Sequence, residues 1–196
     1  MTEAAVEPSG WERALMAAEK VKERLQRATR ALDAAGVPYA VAGGNAVAEW
    51  VGRVDEDAVR TTRDVDLLVR RSDLAAARAA LEAAGFVYHH VLNVDTFIDG
   101  PQGKPSGGVH LLFAGEKVRP RDEFPMPDLD ESQRAVEFQV ATLEALVRMK
   151  LIAWRDKDRT HLRDLIGVGL VDATWPMRLP PPLGDRLQQL LDDPNG

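Results

Sequence analysis

Two carboxylates at the head of a short apolar run constrain this chain more than any other feature. They are Asp64 and Asp66 in Thr61-Thr-Arg-Asp-Val-Asp-Leu-Leu-Val69. Val65 to Val69 is aliphatic, free of Gly and Pro, and followed by arginines, which is the composition of a strand. Residues two apart on a strand project to the same face, so the two acids stand side by side, roughly 7 Å apart along the backbone. Paired carboxylates repel unless a cation or a base lies between them. Hard divalent ions such as Mg²⁺ take oxygen ligands of this kind and share them with substrate phosphates. An isolated Asp-x-Asp is more often two solvated acids, here balanced by Arg60 and Arg63, so a second feature has to decide.

That feature lies upstream, in Val37-Pro-Tyr-Ala-Val-Ala-Gly-Gly-Asn-Ala-Val-Ala-Glu-Trp50. Val37 to Ala42 reads as a strand, Gly43-Gly44 breaks it, and Asn45 to Val51 carries a helical apolar stripe. A strand, a glycine pair and a helix start aim free backbone N–H groups and a positive helix end at a phosphate. Gly43 and Gly44 are therefore the candidate phosphate cradle.

Taken together, these residues resemble the nucleotidyltransferase superfamily, whose polymerase-β-like fold carries a Gly-Gly or Gly-Ser turn opening a helix and Asp-x-Asp on the next strand. The closer likeness is to small bacterial members, some of them related to antitoxins or abortive infection. Met149-Lys-Leu-Ile-Ala-Trp-Arg-Asp-Lys-Asp-Arg-Thr-His-Leu-Arg-Asp-Leu165 also looks like a Lys … Arg-x-Lys-Asp … Asp-Leu helical segment of such proteins. The likeness spans roughly residues 37 to 170. It implies a metal-dependent transfer of a nucleoside monophosphate from an NTP to a hydroxyl of a small molecule, a protein or RNA. Asp64 and Asp66 would hold Mg²⁺ or Mn²⁺, and a toxin–antitoxin partner is conceivable on the same resemblance. Catalytic members place a third acid on a neighbouring strand. The position aligned with it here is His110 in Val109-His-Leu-Leu-Phe113. A neutral imidazole serves as a general base or a metal ligand near neutral pH, but it brings no negative charge. His110 is equally read as a core histidine, and Asp95 or Asp99 in the loop or ragged hairpin 93–108 is an alternative source of the missing acid.

Arg60 and Arg63 could reach the phosphates of a nucleotide or neutralise the two acids. Lys150 falls on the apolar stripe of a helix capped by Thr142, three past Val147 and four past Leu146. A lysine on a buried face needs a partner, and the acid pair or a triphosphate would supply one. Asp158 reads as the cap of the following helix. His89 and His90 face opposite ways on a strand of residues 86–92 and read as edge residues.

Strands and helices neither alternate strictly nor segregate, which predicts an α+β fold. We expect a mixed sheet of about five strands flanked by helices, with a helical C-terminal part. Residues 1–36 form an N-terminal helix packed on the core, 37–141 the core itself, and 142–196 the helical part of the same domain. The helix opens at Ser9 and Glu12, runs through Trp11, Leu15, Ala18, Val21, Leu25, Ala28, Leu32 and Ala35, and closes at Gly36. A length of 196 residues suits one domain. The net charge of −6 argues against broad nonspecific DNA binding, and the lack of cysteine excludes thiolate chemistry. No apolar run reaches membrane-spanning length, so a cytoplasmic location is expected. Two further function classes stay open. One is a catalytically inactive relative acting as a nucleotide-binding or protein-interaction module; the other is a metal-dependent phosphoryl hydrolase using the same acids.

Overall fold

The computed structural model describes residues 7–91, 94–104 and 107–193. The chain opens with α1 (Gly10–Ala34), β1 (Ala40–Ala42), α2 (Gly43–Gly52), β2 (Val65–Val69) and α3 (Leu74–Ala83). It continues through β3 (Phe86–Val91), β4 (Val94–Asp99), β5 (Val109–Phe113), β6 (Ser132–Arg134) and β7 (Gln139–Ala141). Three helices end it: α4 (Leu143–Ala153), α5 (Asp156–Gly167) and α6 (Pro181–Asp192). The seven strands form one sheet in the order β3-β4-β5-β2-β1-β7-β6. Within it β2 runs antiparallel to β1 and parallel to β5, while β1 and β7 are parallel. The sheet is mixed and the fold is α+β, as the sequence predicts.

Two strands exceed the five read from the sequence. β6 is three polar residues at the sheet edge, too short and too hydrophilic to stand out in its proline-spotted connector. β4 was concealed by its acids. In Val94-Asp-Thr-Phe-Ile-Asp99 the carboxylate of Asp95 is buried, where it accepts hydrogen bonds from Tyr88 and, at 2.9 Å, from His90 Nδ1. Asp99 is held by Arg24 and Arg27 of α1. Both acids thus have cross-strand or helical partners, which lets an acid-bearing segment pair between β3 and β5. His89 and His90 lie on the outermost strand and are exposed, and Leu92, the last residue of the strand read there, lies outside the described residues.

The start of α1 follows its capping signal: Ser9 Oγ accepts the Glu12 N–H at 3.2 Å and Glu12 accepts the Ser9 N–H at 2.7 Å. Its apolar stripe is not used along its whole length. Leu25, Ala28 and Leu32 are buried, but Trp11 is 73% exposed and Leu15 55%. The buried residues of α1 all fall in its second half, from Leu25 to Leu32. Gly36, with φ of +64°, turns the chain back towards β1.

The centre of the sheet is the heart of the core. All of β1 is buried, as are Val65, Leu67, Leu68 and Val69 of β2 and Val109 and Leu111 of β5. Asp66 is the partly exposed break in the β2 pattern. α2 is anchored at its far end by Trp50 Nε1, which donates to the Ala141 carbonyl at 3.0 Å. Among the described residues no helix is long and apolar enough to cross a membrane.

The buried hydrogen bonds of Asp95 make it the point on which the outer strands depend. Asp95→Ala should lower the melting temperature by roughly 3–10 °C, from about 1–3 kcal/mol of lost partners. Thermal melts followed by circular dichroism would read this, and an unchanged melting temperature would refute it.

Candidate functional site

The site begins where β1 becomes α2. Ala42 is the extended residue before the helix, and no side chain caps its first turn. The leading N–H groups of α2 thus remain available to an anion. The two glycines are required by packing. Gly43 has φ of +64°, and a Cβ there would lie 2.8 Å from Asp66 Cβ and overlap the carboxylate itself. A Cβ on Gly44 would lie 2.9 Å from the Thr62 side chain. Strand pairing puts Ala42 opposite Asp66, which brings the acid against the turn. Asn45 then donates from Nδ2 to the Asp64 carbonyl at 2.9 Å and pins the approach to β2.

Parallel pairing of β2 with β5 sets Asp66 beside His110. His110 Nδ1 lies 3.5 Å from Asp66 and 3.7 Å from Asp64. One ligand atom from each of Asp64, Asp66 and His110 falls within 4.8 Å of the others. All three side chains are between 20 and 24% exposed, so they are held by the fold yet open to a ligand. Burial pushes the Asp66 carboxyl up, but the His110 hydrogen bond and the charges of Lys150 and Lys157 outweigh it and hold it below the ordinary value. Asp66 is therefore an anion in this setting. Two carboxylate oxygens and one imidazole nitrogen, mutually close and half-exposed, suit a divalent cation, and the nitrogen favours Mn²⁺ more than an all-oxygen set would.

Facing the acids is a cationic wall built at the α4–α5 junction. α4 stops at Trp154, which takes the left-handed conformation with φ of +49°. That corner lets α5 fold back so that Lys150 near the end of α4 meets Asp158 in the first turn of α5. Lys150 Nζ lies 3.4 Å from Asp158, and both are buried. Asp158 is not the helix cap that the sequence suggests. α5 starts at Asp156, and the Asp158 carboxylate reaches back to the Arg155 N–H at 3.2 Å and its Nε at 2.7 Å. Burial pulls the Lys150 ammonium below its usual value, with Asp158 and Asp66 opposing. The partner of Lys150 is thus Asp158 first, with Asp66 acting through its field. Lys157 lies 3.9 Å from Asp64.

A cavity of about 270 Å³ opens between these groups, and Gly43, Asp64, Asp66, His110, Lys150, Arg155, Lys157 and Asp158 line it. The structure brings together six of the seven residues singled out in the sequence for chemistry or binding, Gly44 sitting directly behind Gly43. Arg63 stands apart: it is exposed, it does not line the cavity, and its carbonyl accepts from Arg24 at 3.3 Å. Arg60 is paired with Asp164 at 2.8 Å. Lys157 and Arg155 take the places these two were expected to fill. Asp95 and Asp99 are engaged by Tyr88, His90, Arg24 and Arg27, and neither lines the cavity. Arg155 and Lys157 belong to the Arg-x-Lys-Asp of the helical segment singled out in the sequence, whereas His161 carries no local signal, and α5 begins three residues before a helix capped by Asp158 would.

The fold is that of the nucleotidyltransferases. The chain belongs to the family described as uncharacterised nucleotidyltransferase, whose model matches residues 10–147. No curated protein matches it. Among solved structures it is similar to an antigenic nucleotidyltransferase-like protein from Paracoccidioides brasiliensis, with 19% identity, a TM-score of 0.59, and 90% of this chain and 89% of that one covered. It is also similar to the antibiotic-resistance factor ANT(2'')-Ia. The crystal structure of that protein with adenylyl-2''-tobramycin gives 16% identity and a TM-score of 0.57, covering 87% of this chain and 98% of that one. Its solution structure gives 15% identity and a TM-score of 0.55, covering 90% and 93%. At these identities the likeness is one of fold.

His161 of α5 gives the site region its pH dependence. Burial first, and Lys150 second, push its imidazole down to about 4, and its Nδ1 has no hydrogen-bond partner. The unfolded chain takes up that proton near the ordinary value of about 6.5. Stability is therefore full above that pH and is lost as pH falls from there towards 4. Melting temperatures measured from pH 7.5 to 4.5 should fall with acidification, and His161→Gln should flatten the slope. An equal slope in the variant would show that another group titrates.

Proposed function

We propose that this protein transfers a nucleoside monophosphate from an NTP to an acceptor hydroxyl. The observation that carries this reading is the convergence of Asp64, Asp66 and His110 within 4.8 Å, beside the glycine turn and opposite Lys150. The first N–H groups of α2 bind phosphate oxygens at the Gly43-Gly44 turn. Lys150, Arg155 and Lys157 oppose the charge of the polyphosphate. His110, as general base, takes the proton of the acceptor hydroxyl while its oxygen bonds to the α-phosphorus. The bond from that phosphorus to the β-phosphate oxygen breaks, and pyrophosphate leaves. Asp64 and Asp66 would hold Mg²⁺ or Mn²⁺, which would supply charge neutralisation and alignment for an in-line displacement, leaving the imidazole of His110 free of the metal to act as base. A cytoplasmic enzyme working on a nucleotide and a hydroxyl-bearing small molecule, protein or RNA fits this reading. ANT(2'')-Ia, crystallised with adenylyl-2''-tobramycin, offers a precedent for a small-molecule acceptor on a similar fold.

A second reading has one observation in its favour. With His110 in place of a third acid, the site carries one negative charge fewer, and His110 itself lies near both acids. That would suit a module that binds nucleotide without turning it over. Incubation with each of four labelled NTPs, Mg²⁺ or Mn²⁺ and a cell extract separates the two. Transfer predicts a labelled product, Mn²⁺ binding by calorimetry, and loss of both in Asp64→Asn with Asp66→Asn. His110→Ala should depress transfer about a hundredfold, and His110→Asp should retain or raise it. Unchanged Mn²⁺ binding in the double variant would overturn the metal site. NTP binding without product in both wild type and His110→Asp would favour the module, and NTP consumption without an acceptor would favour a hydrolase.

A further inference from the structure

The cavity is lined by two chemically different sets of groups, and the reaction proposed above assigns a reactant to each. Gly43, Lys150, Arg155 and Lys157 suit a polyphosphate. The other set is apolar: Leu112, two residues past His110 and on the same face of β5, with Val118, Met126, Met149 and Ile152. Met126 is fixed in place, since it donates its N–H to the Glu116 carbonyl at 2.9 Å and accepts from Gly115 at 3.1 Å. If His110 takes the proton, the acceptor hydroxyl lies at His110, and the apolar set is left for the body attached to it.

Charge then narrows the acceptor. Four carboxylates line the cavity: Asp64, Asp66, Asp122 and Asp158. The first two face His110, and Asp158 is occupied by Lys150 and Arg155. Asp122 alone remains, and its carboxylate accepts the N–H of Arg119, whose own cationic side chain lines the same cavity. An acceptor with several ammonium groups would meet no acidic wall here and would leave buried charge unpaired. Two thioethers that line the cavity, Met126 and Met149, offer the opposite: soft, polarizable contacts suited to an aromatic ring.

We propose that the acceptor is a hydroxyl on an uncharged aromatic compound, a phenol or an aromatic alcohol, with its ring against Leu112, Met126 and Met149. The inference rests on the transfer reading for the identity of the occupant. The acceptor oxygen bonds to the α-phosphorus, pyrophosphate departs with the electrons of the broken bond, and the hydroxyl proton passes to His110.

The five methionines make the test independent of turnover. With ¹³C-labelled methionine methyl groups, Met126 and Met149 report on the cavity, while Met16 and Met177 are exposed elsewhere and serve as controls. The full chain is titrated with p-cresol, with tobramycin, and with non-hydrolysable NTP analogues plus Mg²⁺. The p-cresol probe should shift the Met126 and Met149 signals saturably, before and after an NTP analogue is bound. It should leave the controls still, and Leu112→Asp should weaken it about tenfold or more. Tobramycin should shift neither cavity signal. Cavity signals that ignore p-cresol, or that respond to tobramycin at lower concentration, would overturn the proposal. Displacement of p-cresol by an NTP analogue would also overturn it, by giving the apolar set to the nucleobase. Saturable p-cresol binding without any labelled product would support the aromatic chamber and count against transfer.

Discussion

The carboxylate of Asp66 lies against the backbone of Gly43, in the place a Cβ at that position would occupy. Much of the site depends on that one contact. It requires glycine at the turn, and it brings an anion up to the open N-terminus of α2, where a helix dipole and free N–H groups already favour negative charge. The contact is itself set by the antiparallel pairing of β1 with β2, in which Ala42 lies opposite Asp66 and delivers the acid to the turn. A carboxylate and the open start of a helix are thereby placed within one ligand's reach by two short strands and a two-residue turn.

The same contact explains what was legible in the sequence. Strand, Gly-Gly, helix, strand with Asp-x-Asp is a local pattern, and local patterns follow from backbone geometry. β2 accordingly lies at Val65–Val69 as the sequence predicts, while β1 is shorter than the predicted strand 37–42 and α2 already starts at Gly43, two residues before Asn45. His110 was legible too, because a five-residue aliphatic strand with one polar residue leaves little choice of which side chain faces the site. What was hidden depended on distant partners. β4 looked like a loop because nothing local says that Asp95 finds Tyr88 and His90, or that Asp99 finds two arginines of α1. The surroundings of Arg60 and Arg63 are hidden for the same reason: Arg60 pairs with Asp164, 104 residues on, and Arg63 is not among the residues that line the cavity.

Lys150 is the instructive intermediate case. A lysine on an apolar stripe announces a partner without naming it. The two partners considered were the acid pair and a triphosphate, and the direct one is Asp158. The reason lies in the corner at Trp154. A left-handed tryptophan is strained, since bulky residues rarely take that conformation. Yet it is what folds α5 back within eight residues of Lys150 and closes a buried ion pair behind the site. Such a pair contributes little net stability, because desolvation offsets attraction. Its value is positional: Asp158, itself held by Arg155 at 2.7 Å, fixes the buried ammonium of Lys150 in place beside Asp66.

That arrangement bears on the missing third acid. Three carboxylates close together repel strongly, and a cation stabilises the set by relieving that repulsion. With His110 as the third group, the repulsion to be relieved is smaller, and so is the electrostatic gain on binding a metal. The cationic wall partly compensates from the other direction. Lys150, Arg155 and Lys157 line the cavity with the acids, so polyphosphate charge can be balanced by protein groups that are already in place. On the proposed transfer reading, a site with fewer anions and a preorganised cationic wall would shift the work of holding the nucleotide from the metal towards the protein. Its affinity for NTP should then depend less on divalent cation than it would with a third acid at position 110, while transfer would still require the cation. The two dependences are separable in one titration, because NTP binding and product formation would have different metal midpoints. Coincident midpoints would mean that metal and nucleotide enter as a unit, and that the α4–α5 wall serves the fold alone.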